Sequence, residues 1–282
     1  MARSQSLALV GGGQVSKSFL VRLPRLGDCL GPVKASSFRL ASRIVNTMRT
    51  GHAVERYEDF RDCRLILIHL PDVQLARALR EMEAADLEWH NKAILLCDTI
   101  LDSSELSAFS ARGASTGSLN PVEGFDERRF VVEGDRATIR AARRLTQDHD
   151  AEILEIETTG KALYAAGLVF ATSLFTPLAA AGVECLKKAG LKRGPAAAII
   201  ERLIQRSLRG YLKAGRRSWG GPLATSDRDI VLRHLEALFK TNPLMASYYT
   251  ENALFALRLF RRDSEWLRNL SPEPARRAAG AT

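Results

Sequence analysis

The run Gly11-Gly12-Gly13-Gln14-Val15-Ser16 follows the short apolar stretch Ser6–Val10 and precedes an apolar segment from Val15 to Leu26. Glycines between a strand and a helix suit the receipt of a diphosphate. Gly11 permits the tight turn, and Gly13 lets the backbone approach the phosphates. The helix start adds free N–H groups and the positive end of its dipole. Gly12, Gln14 and Val15 complete the loop, and Ser16 stands where a third glycine would ease helix–strand packing. The pattern predicts a dinucleotide site; a tight turn without a ligand is the competing reading. The next strand end reads Lys34-Ala35-Ser36-Ser37-Phe38-Arg39. A site for NAD usually carries an acid there to hold the ribose hydroxyls, and this stretch has none. Ser36, Ser37 and Arg39 instead suit a 2′-phosphate, a charge-assisted contact worth about 1.5–3 kcal/mol. NADP is therefore the favoured cofactor and NAD the second option, while the competing reading makes Arg39 a solvated helix residue.

The elements that must position these groups alternate. After Ser6–Val10 come Gly31–Ser36, a helical stretch to Met48 and a short run at Ala53-Val54. Arg64–Asp72 (RLILIHLPD) is the clearest strand, stopped by Pro71, and Lys92–Asp98 (KAILLCD) is another of buried type. Phe130–Gly134, an Arg-rich helical stretch over 136–149 and Ala151–Ile156 complete the half. Strands alternating with helices predict a doubly wound, mostly parallel α/β sheet covered on both faces. Ligands of such sheets bind beyond the C-terminal strand ends. That directs attention to Gly11–Ser16, Ser36–Arg39, Leu70-Pro71-Asp72 and Cys97–Leu101.

After Thr158 the strand pattern stops, and helices are expected over 160–189, 195–214, 227–240 and 243–262. Ser226 with Asp229 has capping-box spacing, and Asp227 could serve as cap or as an acid. The reading is a Rossmann domain over 1–157, an all-helical substrate and dimerisation domain over 158–265, and a disordered tail over 266–282.

With 282 residues, 46% of them apolar, the chain is long enough for two cores. Four cysteines without close spacing exclude a zinc framework and suit reduced cytosolic thiols, so no metal is expected. The formal charge of +9 is uneven: +7 over residues 1–50, −9 over 51–157 and +11 over 158–282. No basic block or finger spacing accompanies it, so no nucleic-acid partner is expected. Residues 162–183 carry no charge. As a helix they would reach roughly 33 Å, enough for a bilayer. The run is rich in Ala, Thr, Ser and Gly, and Pro177 lies within it. The expectation is a buried helix of a soluble, cytoplasmic protein rather than a membrane span.

Taken in order, GGGQVS, HLPD, GSLNPVEGF, FVVEGD, KALYAAGLVFATS and GGPLATSDRDIVLRHLEAL resemble the Rossmann-like proteins with a C-terminal domain of unknown function 2520. These are relatives of the 6-phosphogluconate dehydrogenase and ketopantoate reductase superfamily. The resemblance spans about residues 6–262. It implies an N-terminal dinucleotide-binding domain, a 6-phosphogluconate-dehydrogenase-like all-α C-terminal domain, and a homodimer formed through the C-terminal helices. It also places the uncharged 162–183 run in a core or interface. The chain departs from the family pattern at Cys97-Asp98-Thr99-Ile100, at Asn120 in place of a histidine, and at Ala165 after Tyr164.

Hydride transfer to C=O or C=N needs a proton donor and a polarised acceptor. Lys161 and Tyr164 lie one helical turn apart on one face of the helix that opens the second domain. Lys161 is the expected donor or polariser, its ammonium lowered toward neutrality by burial. Asn120, in a loop after the sheet with Ser118 beside it, is expected to orient the substrate. The competing reading makes Lys161 a solvated residue and Tyr164 a packed aromatic. His69 is expected as buried structure.

Three functions follow. The first is an NAD(P)-dependent oxidoreductase of a small carbonyl, hydroxy or imine compound. The second is a non-catalytic NADP-binding or sensing dimer that has lost the family's histidines. The third is a structural dimer with a basic surface.

Overall fold

The computed structural model describes residues 6–12, 15, 20, 23–97, 99–122, 129–147 and 151–270. Eight strands form one sheet: β1 (Leu7–Gly11), β2 (Leu30–Lys34), β3 (His52–Ala53), β4 (Leu65–His69), β5 (Ala93–Cys97), β6 (Ser115–Pro121), β7 (Arg129–Gly134) and β8 (Glu152–Glu155). Their order is β3-β2-β1-β4-β5-β6-β7-β8. Every described neighbour pair is parallel except β6 and β7, so the sheet is mostly parallel with two reversed strands at one edge. The chain leaves β1 toward one edge and returns to β4 on its other side. The C-terminal ends of β1 and β4 therefore flank the crevice where such sheets take ligands.

Side-chain alternation divides the core in two. Leu7, Leu9, Val33, Leu67, Leu95 and Leu119 point to one face, where they pack with Ala41, Ile44, Ala142 and Leu145. Those residues come from α2 (Phe38–Met48) and α5 (Arg136–Thr146). Ala8, Val10, Ile66, Ile68, Ile94 and Leu96 point to the other face, onto Leu75, Leu79, Met82, Phe60 and Phe109. There α3 (Asp72–Glu83), a 3-10 turn at Tyr57–Phe60 and the short α4 (Ser107–Ser110) form the cover. A parallel strand buried on both faces reads as a continuous apolar run, which is why LILIH and AILLC stand out in the sequence. A further short helix, α1 (Pro24–Cys29), precedes β2.

β6 escapes that rule. Its sequence STGSLNP is poor in strand formers, yet five of its seven residues pair with β5. Asn120 thus sits within a strand, opposite Val131 of β7, and not in a loop after the sheet. Gly134 explains the tight β6–β7–α5 junction. It has φ +117°, and a Cβ there would lie 2.3 Å from the Thr116 carbonyl oxygen. Asp135 then accepts from the Thr116 amide at 2.7 Å, and the Thr138 hydroxyl donates back to the Thr116 carbonyl at 3.1 Å.

The chain divides into two compact units, Met1–Leu168 and Val169–Thr282, and the division falls within α6 (Lys161–Ala171). The described regular elements of the second unit are helices: α7 (Phe175–Lys188), α8 (Arg193–Ala214), α9 (Pro222–Thr225), α10 (Arg228–Thr241), α11 (Pro243–Leu259) and α12 (Glu265–Leu270). Pro177 falls in the first turn of α7, where its missing N–H breaks no helical bond. The helix α10 is capped by Asp227, whose carboxylate accepts from the Ile230 amide at 3.2 Å. Ser226 is left-handed, at φ 56°, and ends α9, so the Ser226–Asp229 capping box is not formed. The region assigned to a disordered tail extends beyond the described residues from 271 onward.

Within the second unit, Val231, Leu235, Leu254, Leu257, Trp266 and Leu267 build a small core. The uncharged run does not join it. Leu163 is 78% exposed and Phe170 56%, and the run is split between α6 and α7. The expectation that this segment fills the core of its own chain is therefore corrected. Among the described residues one helical stretch, Thr158–Lys188, is long and apolar enough to cross a membrane by length and composition.

Candidate functional site

Gly11 ends β1 and Gly12 opens the turn. The Gly12 amide donates to the His69 carbonyl at 2.8 Å, which joins the turn to the end of β4. A Cβ on Gly12 would lie 2.9 Å from Cδ of Pro71, so the turn and the Leu70-Pro71 segment approach as only glycine allows. Val15 is fully buried, and its amide donates to the Gly12 carbonyl at 3.2 Å. Gly13, Gln14 and Ser16 lie outside the described residues.

Beyond β2, Ser36, Ser37 and Arg39 are all exposed. Ser37 is the N-cap of α2, its hydroxyl accepting from the Leu40 amide at 3.2 Å, and Arg39 stands in the first turn of that helix. A cavity of about 430 Å³ opens at these strand ends, lined by Val10, Ala35, Ser36, Tyr57, Leu70 and Arg77 among others. Tyr57 was not singled out by its sequence context, because a lone aromatic between two strands carries no spacing signal. Its ring lies under the Lys34 ammonium, 4.6 Å from the centroid. Burial, aided by Glu81 and opposed by Arg77, pushes the phenol up to about 12. Tyr57 therefore stays a neutral donor at this wall.

A second cluster is organised by the segment that follows β5. The Thr99 hydroxyl donates to Asp72 Oδ1 at 2.5 Å and accepts from the Leu101 amide at 3.1 Å. Asn120 donates from Nδ2 to the Thr99 carbonyl at 2.8 Å, and its Oδ1 is buried without a partner among the described residues. Lys161 is only 3% exposed, which removes the solvated reading. Its Nζ donates to the Leu101 carbonyl at 2.5 Å and to Ser118 Oγ at 2.8 Å. Burial brings its ammonium down to about 8, and the acidic groups of Glu133, Cys97, Asp102 and Asp72 pull the other way. Tyr164 is half-buried one turn further along α6. Residues 99–101 thus tie together Asp72, Asn120 and Lys161, three side chains from α3, β6 and α6.

An ammonium has three N–H donors, and Lys161 commits two of them within the chain. Among the described residues the third has no acceptor and remains for another atom. A lysine near neutrality can hold a proton, point it and release it, which is the chemistry of a general acid. Two partners, Ser118 and Glu133, lie beyond what spacing could reveal. In the sequence Ser118 stands out only as a neighbour of Asn120, and Glu133 is the single acid of the strand RFVVEG.

Residues 129–255 match the family described as a domain of unknown function, DUF2520. No curated protein matches the chain at a significant level of sequence similarity. Solved structures of the same fold include a candidate NADP oxidoreductase from Bacteroides fragilis, with TM-score 0.68, 16% identity, and coverage of 93% of this chain and 99% of that one. An imine reductase from Myxococcus stipitatus in complex with NADP+ has TM-score 0.63 at 14% identity, covering 94% and 99%. An imine reductase from Aspergillus terreus in complex with NADPH4 and dibenz[c,e]azepine has TM-score 0.58 at 15% identity, covering 99% and 95%. At these identities the likeness is one of fold. The chain thus has a Rossmann-type α/β fold, and its residues 129–255 match the model of the domain of unknown function DUF2520.

Proposed function

We propose that this protein is an NAD(P)-dependent oxidoreductase, NADP favoured, acting on a small carbonyl, hydroxy or imine compound. The observation that carries the reading is the buried Lys161, held on Leu101 and Ser118 with one N–H to spare. Supporting it, solved neighbours of this fold are complexes with NADPH or NADP+. The residues present fit a dinucleotide. Gly12 leaves open the space a Cβ would take against Pro71, and the 430 Å³ cavity beside Ser36 and Tyr57 has room for an adenosine half. In this reading Gly11–Ser16 receive the diphosphate, while Leu70, Pro71 and Asp72 form the opposite lip. Ser36, Ser37 and Arg39 take the 2′-phosphate.

The bound nicotinamide supplies the hydride. Lys161 supplies or withdraws the proton at the substrate oxygen or nitrogen and stabilises negative charge there. Asn120 presents Oδ1 to a donor on the bound molecules, and Tyr164 shapes the wall beside Lys161. Asp72 holds Thr99, and through it the strand end that carries Asn120.

The absence of histidine at Asn120 and Ala165, where the resemblance leads one to expect it, favours a second reading. In that reading the protein is a dimer that binds or senses NADP without turnover. Both readings include a soluble cytoplasmic homodimer formed through the exposed apolar faces of α6–α8. The test is thermal unfolding with NADPH, with NADH and with neither, followed by turnover on a panel of small imines and ketones. At one hundred times Kd a ligand adds about 2.7 kcal/mol to stability. A shift with NADPH that Arg39→Ala reduces to the NADH level supports the phosphate assignment, and equal shifts contradict it. Turnover separates enzyme from sensor, and the absence of any shift removes both.

A further inference from the structure

The strongest unexplained feature of the sheet unit is a carboxylate with no exposure at all. Glu133 is 0% exposed on β7. Both its oxygens are taken by one residue: the Ser103 amide donates at 3.0 Å and the Ser103 hydroxyl at 2.7 Å. Across the antiparallel ladder its partner is Ser118, the residue that accepts from Lys161. Directly opposed residues of such a ladder carry their side chains on the same face, with Cβ atoms about 4.5–5.5 Å apart.

The two buried charges also grip one segment. Lys161 takes the Leu101 carbonyl, and Glu133 takes the Ser103 amide two residues later. An interior carboxylate held by a serine alone is costly, and an interior ammonium held by a carbonyl and a hydroxyl is costly too; as neighbours each lowers the other's cost. The acidic groups that face Lys161 are Glu133 on β7, Cys97 on β5, Asp102 ahead of Ser103 and Asp72 on α3, and Glu133 acts most strongly.

We propose that Glu133 is the positioning residue of Lys161: its buried carboxylate, fixed by Ser103, is the counter-charge that keeps the ammonium charged and aligned on Ser118 and Leu101. The consequence for catalysis rests on Lys161 being the proton donor, but the pairing itself does not. Glu133 adjusts the fraction of enzyme that carries a transferable proton at neutral pH without touching substrate.

The test follows the titration of Lys161 by NMR in the full chain labelled with 13C at lysine Cε. The Lys161 signal is assigned by its loss in Lys161→Met. In the wild-type protein it is expected to titrate near 8. Glu133→Gln keeps shape and one acceptor oxygen while deleting the charge. The expected result is a midpoint lowered by about one pH unit, a tenfold stronger acid. Should that variant fail to fold, Glu133→Asp withdraws the charge by one methylene and is expected to lower the midpoint by a smaller amount. An unchanged midpoint in a folded variant overturns the proposal and leaves Glu133 as a purely structural clasp for Ser103. Neither cofactor nor substrate is needed, so the proposal and the oxidoreductase reading fail separately.

Discussion

The sheet unit and the helical unit use apolar side chains in opposite ways. In the first, two cores close on either face of the sheet, and Phe60, Ile66, Leu67, Ile94 and Phe109 are all at most 1% exposed. In the second, among the described residues, the closed cluster is the one around α10–α12. Phe170, Leu203, Leu208, Tyr211 and Leu212 are each at least half exposed. The close approach of Gly182 to Ile200, where a Cβ would lie 2.9 Å from Cδ1, packs α7 on α8 but leaves their far sides open. A unit that finishes its own core can fold alone. Soluble monomers rarely carry large contiguous patches of that kind, which supports the proposed pairing of two copies.

The largest effect that would sharpen the contrast is a core truncation. Phe109→Ala removes a buried ring packed edge-on to Trp89 at 4.6 Å and is expected to cost about 3–5 kcal/mol in denaturant unfolding. The same truncation at the exposed Leu212 should change stability by less than about 0.5 kcal/mol per monomer. In the proposed homodimer it should instead shift the dimer–monomer balance in light scattering. If Leu212→Ala destabilises like a core variant and leaves the mass unchanged, the two units do not differ as described.

A smaller effect is the loss of the Asp227 cap. Asp227→Ala removes the bond to the Ile230 amide and is expected to cost about 1 kcal/mol, whereas Ser226→Ala should cost less. Equal losses would mean that the cap is wrongly placed.

The subtlest effect is a pH dependence in the sheet unit. The folded state lowers the Lys161 ammonium from 10.5 to about 8. Between those values the unfolded chain binds more protons than the folded one, so this group adds stability as pH rises from about 8 toward 10.5. Below 8 both states are protonated and the penalty is fully present. The stability of Lys161→Met relative to wild type should therefore be greatest below pH 8 and fall as pH approaches 10, as the wild type sheds this penalty. A difference that does not vary with pH would place Lys161 in solvent.

Much of the sheet was legible, for a physical reason. Strands buried on both faces must be apolar throughout, so β4 and β5 announce themselves. β6 did not, because Thr116, Gly117, Ser118 and Asn120 serve the junction and the polar cluster rather than strand propensity. The helices after Thr158 were readable from periodicity, but their burial was not, since periodicity reports an apolar face and not what covers it. In the site, Asp72, Asn120 and Lys161 could be chosen by residue type. That Thr99 and Leu101 join them, and that Glu133 faces Lys161 through Ser118, depends on strand register, which no local pattern encodes.

The central claim is that the turn after β1 and the end of β4 form a dinucleotide seat. Calorimetric titration of NADPH into the wild-type protein and into Gly12→Val tests it most directly, with a thermal melt to establish that the variant is folded. The account predicts saturable binding to the wild type and at least tenfold weaker binding to the variant, whose side chain must displace Pro71. No binding to the wild type, or equal binding to a folded variant, would contradict it.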